Sequence, residues 1–178
     1  MLVDNDPERS YEPFSRSDLL RLAEIAAGDR RQFFLRNPKY SDLEHSILAV
    51  ALCQGAAMHF LDGRNGIKDI DVWTFYGPHP TLHYPARRPV MSYDFCDPKF
   101  GKTADSPHFT GRRVDCLARS VPMLFGDATS TIRRYLSESR TSSARELARK
   151  AVVMIQPMET LGAIVLPPNS DAPLGWRG

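Results

Sequence analysis

Apolar positions along the chain recur with two different periods. In residues 18–27 the leucines and the isoleucine return at helical spacing, and Ser17 stands ahead of them as an N-cap. Gly28 interrupts or ends this helix; any continuation over 29–36 must stop at Asn37-Pro38, because proline disfavours helix in the residue before it. Residues 46–53 form a short apolar run that fits a buried strand or a helix. Ser41 with Glu44 makes a capping-box pattern, which predicts a helical turn there, followed by a strand ending at Gly55. A brief helix from Ala56 to Asp62 is then closed by the turn signals Asp62-Gly63 and Asn65-Gly66.

The clearest pattern is Ile67-Lys68-Asp69-Ile70-Asp71-Val72-Trp73-Thr74-Phe75-Tyr76, where branched and aromatic residues alternate with polar ones. A period of two puts Asp69, Asp71 and Trp73 on one face of a strand and Ile70, Val72 and Thr74 on the other. Residues 77–110 are rich in proline, histidine and aromatics and predict an irregular excursion with one short strand near Val90–Phe95. Gly111–Ala118 predicts another strand. Residues 127–139 and 143–153 predict two helices, the second opened by a Ser143/Glu146 capping box. A last apolar run, Ala163–Leu166, stops at Pro167-Pro168. The chain thus divides into a loose arm (1–14), one domain (15–168, with its core at 46–118 and C-terminal helices at 127–153) and a tail (169–178).

Bulk properties narrow the field. A chain of 178 residues, 42% hydrophobic and 25% charged, has the composition of a globular domain with a core of its own. No stretch approaches the roughly 20 apolar residues of a membrane span, so no membrane partner is expected. A net charge of +2 names neither nucleic acid nor membrane. Cys53, Cys96 and Cys116 are odd in number and far apart, with no metal or disulfide spacing. With an N-terminus that has neither a basic region nor a long apolar run, they point to the cytoplasm.

Two aspartates one residue apart on a strand sit roughly 7 Å apart at the backbone. Asp69 and Asp71 can therefore converge on a cation, and magnesium takes oxygen ligands, often one or two carboxylates plus substrate phosphates. Upstream, Gly55 and Ala56 open a predicted helix; glycine admits close approach of a phosphate, and a helix N-terminus offers free N–H groups. Downstream, Asp115 stands between Val114 and Cys116 on a predicted strand. Tyr93-Asp94-Phe95 has the same apolar–acid–apolar form, although the flanks of Asp115 read as the longer strand.

Taken together, these residues resemble the nucleotidyltransferase superfamily of the DNA polymerase beta type, in an uncharacterised bacterial branch. Its signature is an apolar strand, a small-residue turn, about ten residues, a D-x-D or D-x-E strand and a third acid on a later strand. Gly55-Ala56 takes the turn, twelve residues intervene before Asp69-Ile70-Asp71, and Asp115 fits the third acid. The resemblance spans about residues 46–118. It implies an α+β fold, a small mixed β-sheet flanked by helices in the manner of a nucleotidyltransferase palm. It also implies an enzyme that transfers a nucleotidyl group from a nucleoside triphosphate such as ATP to an acceptor. Asp69, Asp71 and Asp115 would be the catalytic acids and would hold magnesium, two ions or manganese in their place, with Asp115 alternatively a general base. Gly55, Ala56, Lys68 and Arg113 would meet the nucleotide.

The chain departs from the pattern at Ala56, where many members carry serine or glycine. A second reading follows: a weak or inactive protein of this fold that acts as a binding or regulatory partner, of the toxin–antitoxin or defence kind. Arg87, Arg88, Arg112 and Arg119 are further candidates for phosphate contact, and a nucleic-acid-binding module built on the arginine pairs is a third reading. Trp73 and Tyr76 are candidates for stacking a base, with core packing the better expectation for Trp73. His79 and His83 have a helical metal spacing that Pro80 and Pro85 argue against.

Overall fold

The computed structural model describes residues 8–167; the start of the expected arm and the expected tail at 169–178 lie outside them. The first helix, α1, runs over Arg16–Arg36. Its N-cap is Ser15, not Ser17: the Ser15 side chain accepts the Asp18 N–H while the Asp18 carboxylate accepts the Ser15 N–H, a reciprocal capping box. Gly28 does not end α1. Leu19, Leu22, Ala23, Ala26 and Phe33 keep one face buried past it, and that packing offsets the roughly 1 kcal/mol cost of a helical glycine. The helix ends at Asn37, whose backbone and side-chain N–H groups both donate to the Phe33 carbonyl. A 3-10 segment over Pro38–Ser46 then leads into strand β1, Ile47–Cys53.

Helix α2 (Gln54–Asp62) follows β1 with no intervening loop and closes on Gly63, whose left-handed backbone donates to the His59 carbonyl. Strand β2 is Ile70–Tyr76, β3 is Met91–Asp94 and β4 is Arg113–Ser120. Helices α3 (Ala128–Glu138) and α4 (Ser142–Ala148) precede β5 (Ala151–Gln156) and β6 (Ile164–Leu166). The six strands form one mixed sheet in the order β3-β4-β2-β1-β5-β6, in which only β2 and β4 run parallel. The fold is α+β.

The helix expected over 143–153 is instead the end of one helix and the start of a strand. Its first half is α4, capped by Thr141 accepting the Ala144 N–H and not by Ser143. Its second half begins β5, an inner strand. Val152, Val153, Met154 and Ile155 are all fully buried because helices cover both faces of the sheet there. A strand buried on both sides is a continuous apolar run without alternation, and such a run beside a capped helix reads as more helix. Burying each such side chain contributes about 1.5–3 kcal/mol.

One face of the sheet packs Val50, Leu52, Ile70, Val72, Val114 and Val153 against α1 and α2. The other packs Ala51, Trp73, Phe75, Val152 and Met154 against α3 and α4. The described part of the arm, residues 8–14, is not loose. Ser10 and Ile67 exchange two backbone hydrogen bonds, and Phe14 is buried against Phe100 with ring centroids 4.7 Å apart. Among the described residues no helix is long and apolar enough to cross a membrane.

Candidate functional site

The parallel register of β2 and β4 sets Asp71 directly beside Asp115. Because successive side chains alternate, Asp71 and Asp115 share the sheet face with Trp73 and Leu117, and Asp69 precedes them at the mouth of β2. On the other flank of β2, Cys53 pairs with Asp71, so the start of α2 lies one strand away. A cavity of about 340 Å³ opens here, lined by Gln54, Gly55, Asp69, Asp71, Trp73 and Lys150 among others. A second of about 200 Å³, lined by Lys68, Asp69, Asp105 and Arg113, lies against Asp69 as well.

Arg113 is the local counter-charge. Its guanidinium reaches Asp69 Oδ1 at 3.0 Å, Asp115 Oδ1 at 3.3 Å and Asp105 Oδ2 at 2.6 Å. Only the contact to Asp105 is an aligned hydrogen bond. Asp69 Oδ1 and Arg113 Nε are buried and lack a hydrogen-bond partner. Asp115 Oδ1 additionally accepts from Ser92 Oγ at 2.6 Å. One arginine therefore serves three carboxylates, and none of the three has its full complement of donors from it.

The electrostatics follow. Burial first, then the charges of Asp115 and Asp69, push the Asp71 carboxyl up to about 6, against the pull of Lys150 and Arg113. Asp69 is also raised, chiefly by burial, although Arg113 opposes it. Burial pulls Arg113 down, but its hydrogen bond to Asp105 and the charges of Asp115 and Asp69 outweigh that and raise it.

Gly55 and Ala56 occupy the first turn of α2, where no side chain caps the helix. Gln54 turns the chain from β1 into α2 with φ 60, and a Cβ at position 55 would meet nothing within 4 Å. The space over Gly55 is open to a ligand, whereas Ala56 is fully buried in the core. Lys68 lines both cavities and pairs with Glu8 at 3.6 Å.

Several other sequence candidates have structural roles. Asp94 is spent on the turn after β3, accepting the N–H groups of Cys96, Thr110 and Gly111. These bonds outweigh its slight burial and lower its pKa. Arg112 is buried and donates to the carbonyls of Phe100, Glu8 and Lys68, tying the arm and the lead-in to β2 together. Tyr76 is buried and stacked on Tyr84 at 5.2 Å, and lines neither cavity beside the acids. His79 accepts the N–H groups of Thr81 and Leu82 through Nδ1 in a turn. Trp73 is core, stacked on Phe75, with an edge on the cavity.

Sequence reasoning missed Ser92, Asp105, Lys150 and Gln54. Ser92 reaches Asp115 only because β3 pairs with β4 in the register Ser92–Asp115, and a lone short strand does not declare its partner. Asp105 comes from the aperiodic excursion, and Lys150 from the turn that sequence alone reads as helix.

The oxygen donors fit magnesium in a limited sense. Among the described residues no group of three His, Cys, Asp or Glu side chains gathers to hold a metal by itself. Magnesium needs no such cage: one or two carboxylates and substrate phosphates suffice, and Asp69 brings a buried oxygen with no hydrogen-bond donor. No protein-family model matches the chain, and no curated protein or solved structure does either.

Proposed function

We propose that the protein is a magnesium-dependent nucleotidyltransferase with a palm-like sheet. The observation that carries the reading is the parallel β2–β4 register, which sets Asp115 beside Asp71, while Asp69 and Asp71 face a cavity that reaches Gly55. The order strand, uncapped helix, acidic strand, parallel acidic strand supports the palm-like assignment. Asp69 and Asp71 hold the metal, which supplies Lewis-acid polarisation of the phosphates when bound. The open first turn of α2 at Gly55 receives a phosphate on backbone N–H groups. Lys68 and Lys150 balance its charge at the rim. Asp115, held by Ser92 and Arg113, takes the proton of the attacking hydroxyl as that oxygen bonds the α-phosphorus and pyrophosphate leaves.

The test uses the whole chain with each magnesium–nucleoside triphosphate in turn, labelled on the α-phosphate, and a panel of RNA, protein and small hydroxyl acceptors. Label should pass to one acceptor class and fail to pass in the Asp69→Asn, Asp71→Asn protein. If calorimetry finds no binding of any magnesium–triphosphate pair and the double variant behaves as wild type, the reading is lost.

A second reading is favoured by a specific observation: Arg113 lodges among the acids, and Ala56 brings no hydroxyl to the turn. On that reading the protein binds a metal–nucleotide without turnover and serves as a regulatory partner. Tight triphosphate binding with no label transfer to any acceptor class distinguishes it.

A further inference from the structure

A separate cavity lies on the other side of the sheet edge. It measures about 420 Å³ and is formed by the end of α1, the start of the 3-10 segment, the 85–89 segment and strand β3. Its lining includes Arg36, Lys39, Arg87 and Arg88, and no aspartate or glutamate. In a chain whose net charge is only +2, that is a strong local concentration. Asp29 lies behind the lining, but both its oxygens are taken by Arg88 at 2.7 and 2.9 Å and by the Tyr93 hydroxyl at 2.8 Å. The other three cations are exposed. Arg36 and Arg87 form no ion pair among the described residues, and Lys39 has only the face of the Tyr40 ring, at 5.1 Å.

Aromatic rings sit between these charges. Tyr40 stacks on Phe33 with centroids 5.7 Å apart, and Arg88 lies 4.8 Å over the Phe33 ring. Rigid rings interleaved with cations are what a single nucleic-acid strand uses: bases stack on the rings while the backbone follows the charge. The exposed cations come from the end of α1, the adjoining 3-10 segment and the 85–89 segment, around a cavity of about 420 Å³, a span that suits successive phosphates of a strand. A base stacking on Tyr40 would take the ring face that Lys39 now covers and leave its ammonium for the adjoining phosphate.

We infer that this cavity is a binding site for single-stranded nucleic acid, gripped through its phosphates by Arg36, Lys39 and Arg87 with Tyr40 as the stacking ring. The inference concerns binding alone and stands whether or not the carboxylates transfer a nucleotide. Strand β3 links the two places: Tyr93 faces the cavity, and its neighbour Ser92 reaches Asp115 from the opposite face.

The test is fluorescence anisotropy of the whole chain with a labelled twelve-nucleotide strand, without magnesium or triphosphate, across a salt series. The probe is offered as uridine and as thymidine homopolymer. Wild type should bind, and Lys39→Glu with Arg87→Glu should weaken binding at least tenfold at low salt and flatten the salt slope by about 1.4, roughly 0.7 for each lost contact. Arg16→Glu with Arg140→Glu makes the same change in net charge at exposed positions away from the cavity and should bind as wild type. Far-ultraviolet circular dichroism and thermal midpoints check that both variants fold, and the single Arg87→Ala, expected to lose a smaller factor, serves if the double variant does not. Equal loss in the two charge-matched variants would overturn the inference. So would a wild type that does not bind, duplex of the same sequence bound as tightly as the single strand, or polyglutamate or adenosine monophosphate bound as tightly as the oligonucleotide.

Discussion

Two arginine–carboxylate groupings lie on opposite faces of the same sheet, and they are built differently. Asp29 receives a bidentate pair of bonds from Arg88 and a third from the Tyr93 hydroxyl, and Arg88 also donates to Tyr84. Asp69 faces Arg113 at 3.0 Å without an aligned hydrogen bond, and the same guanidinium is divided among Asp69, Asp105 and Asp115. Both arginines are raised, and the second grouping stands apart by the shifts of its carboxyls. Hydrogen bonds to Asp29 and Tyr84 outweigh the burial of Arg88 and hold its pKa high, whereas on the other face burial and mutual repulsion win and the carboxyls of Asp69 and Asp71 rise. A carboxylate given all its donors binds elements of the fold together. One left short of donors, beside like charges and an open cavity, is ready for a ligand that the chain does not itself supply.

That comparison breaks if the two groupings respond alike to mutation. Asp69→Asn with Asp71→Asn should reduce the proposed nucleotidyl transfer by at least about a thousandfold, roughly 4 kcal/mol in the barrier. The same change relieves repulsion, so urea unfolding should find the variant as stable as wild type or more so. Asp29→Ala should do the opposite, costing about 3 kcal/mol of stability because it strands a largely buried guanidinium. Equal stability losses at the two places would show that Asp69 and Asp71 are as structural as Asp29.

The pH dependence sharpens the contrast. The Asp71 carboxyl titrates in the fold at about 6, against an ordinary value of 3.8. A raised acid is easier to bury protonated, so its contribution to stability is complete below 3.8 and is lost as pH rises through 6, by at most about 3 kcal/mol. Asp69 acts in the same sense. Magnesium, by binding the ionised forms, should restore the loss: thermal midpoints should rise with the ion at pH 7.5 and hardly move at pH 5. Asp71→Asn should flatten both dependences, and a magnesium effect that persists at pH 5 would place the ion elsewhere.

The smallest effect is expected at Ser92. Its hydroxyl orients Asp115 from an exposed position, so Ser92→Ala should lower turnover by about tenfold or less and leave the urea midpoint nearly unchanged. A loss as large as that of the acids would make Ser92 a direct participant.

The half of this site carried on β2 was legible because a period-two pattern states which side chains share a face. Asp69, Asp71 and Trp73 lie together as alternation requires, and the small-residue turn does open a helix. Register is a different kind of information. Asp94 and Asp115 have the same local pattern, and only the pairing of β4 with β2 separates the acid beside Asp71 from the one held by backbone N–H groups. Arg112 and Arg113 likewise differ only in which way each points. Strand β5 was misread for the opposite reason: burial on both faces erases the alternation that identifies a strand. Capping misled twice, since Ser17 and Ser143 satisfy a composition rule two residues away from Ser15 and Thr141, whose oxygens meet the N–H groups.

The parallel pairing of β2 with β4 also has a consequence for how the molecule assembles. β1 meets β2 across the short segment 54–69, but β4 reaches β2 only after residues 77–112 have been passed. Closing the longer loop costs about 0.7 kcal/mol more from length alone, and the aperiodic excursion must take shape in the same step. On loop length alone Asp69 and Asp71 are set in place before Asp115 and Arg113 arrive, and the later strand β4 brings both the third acid and the cation that balances it. Pulse-labelled hydrogen exchange during refolding should protect the β2 amides that face β1 before those that face β4; simultaneous protection would mean the charged cluster closes as a unit.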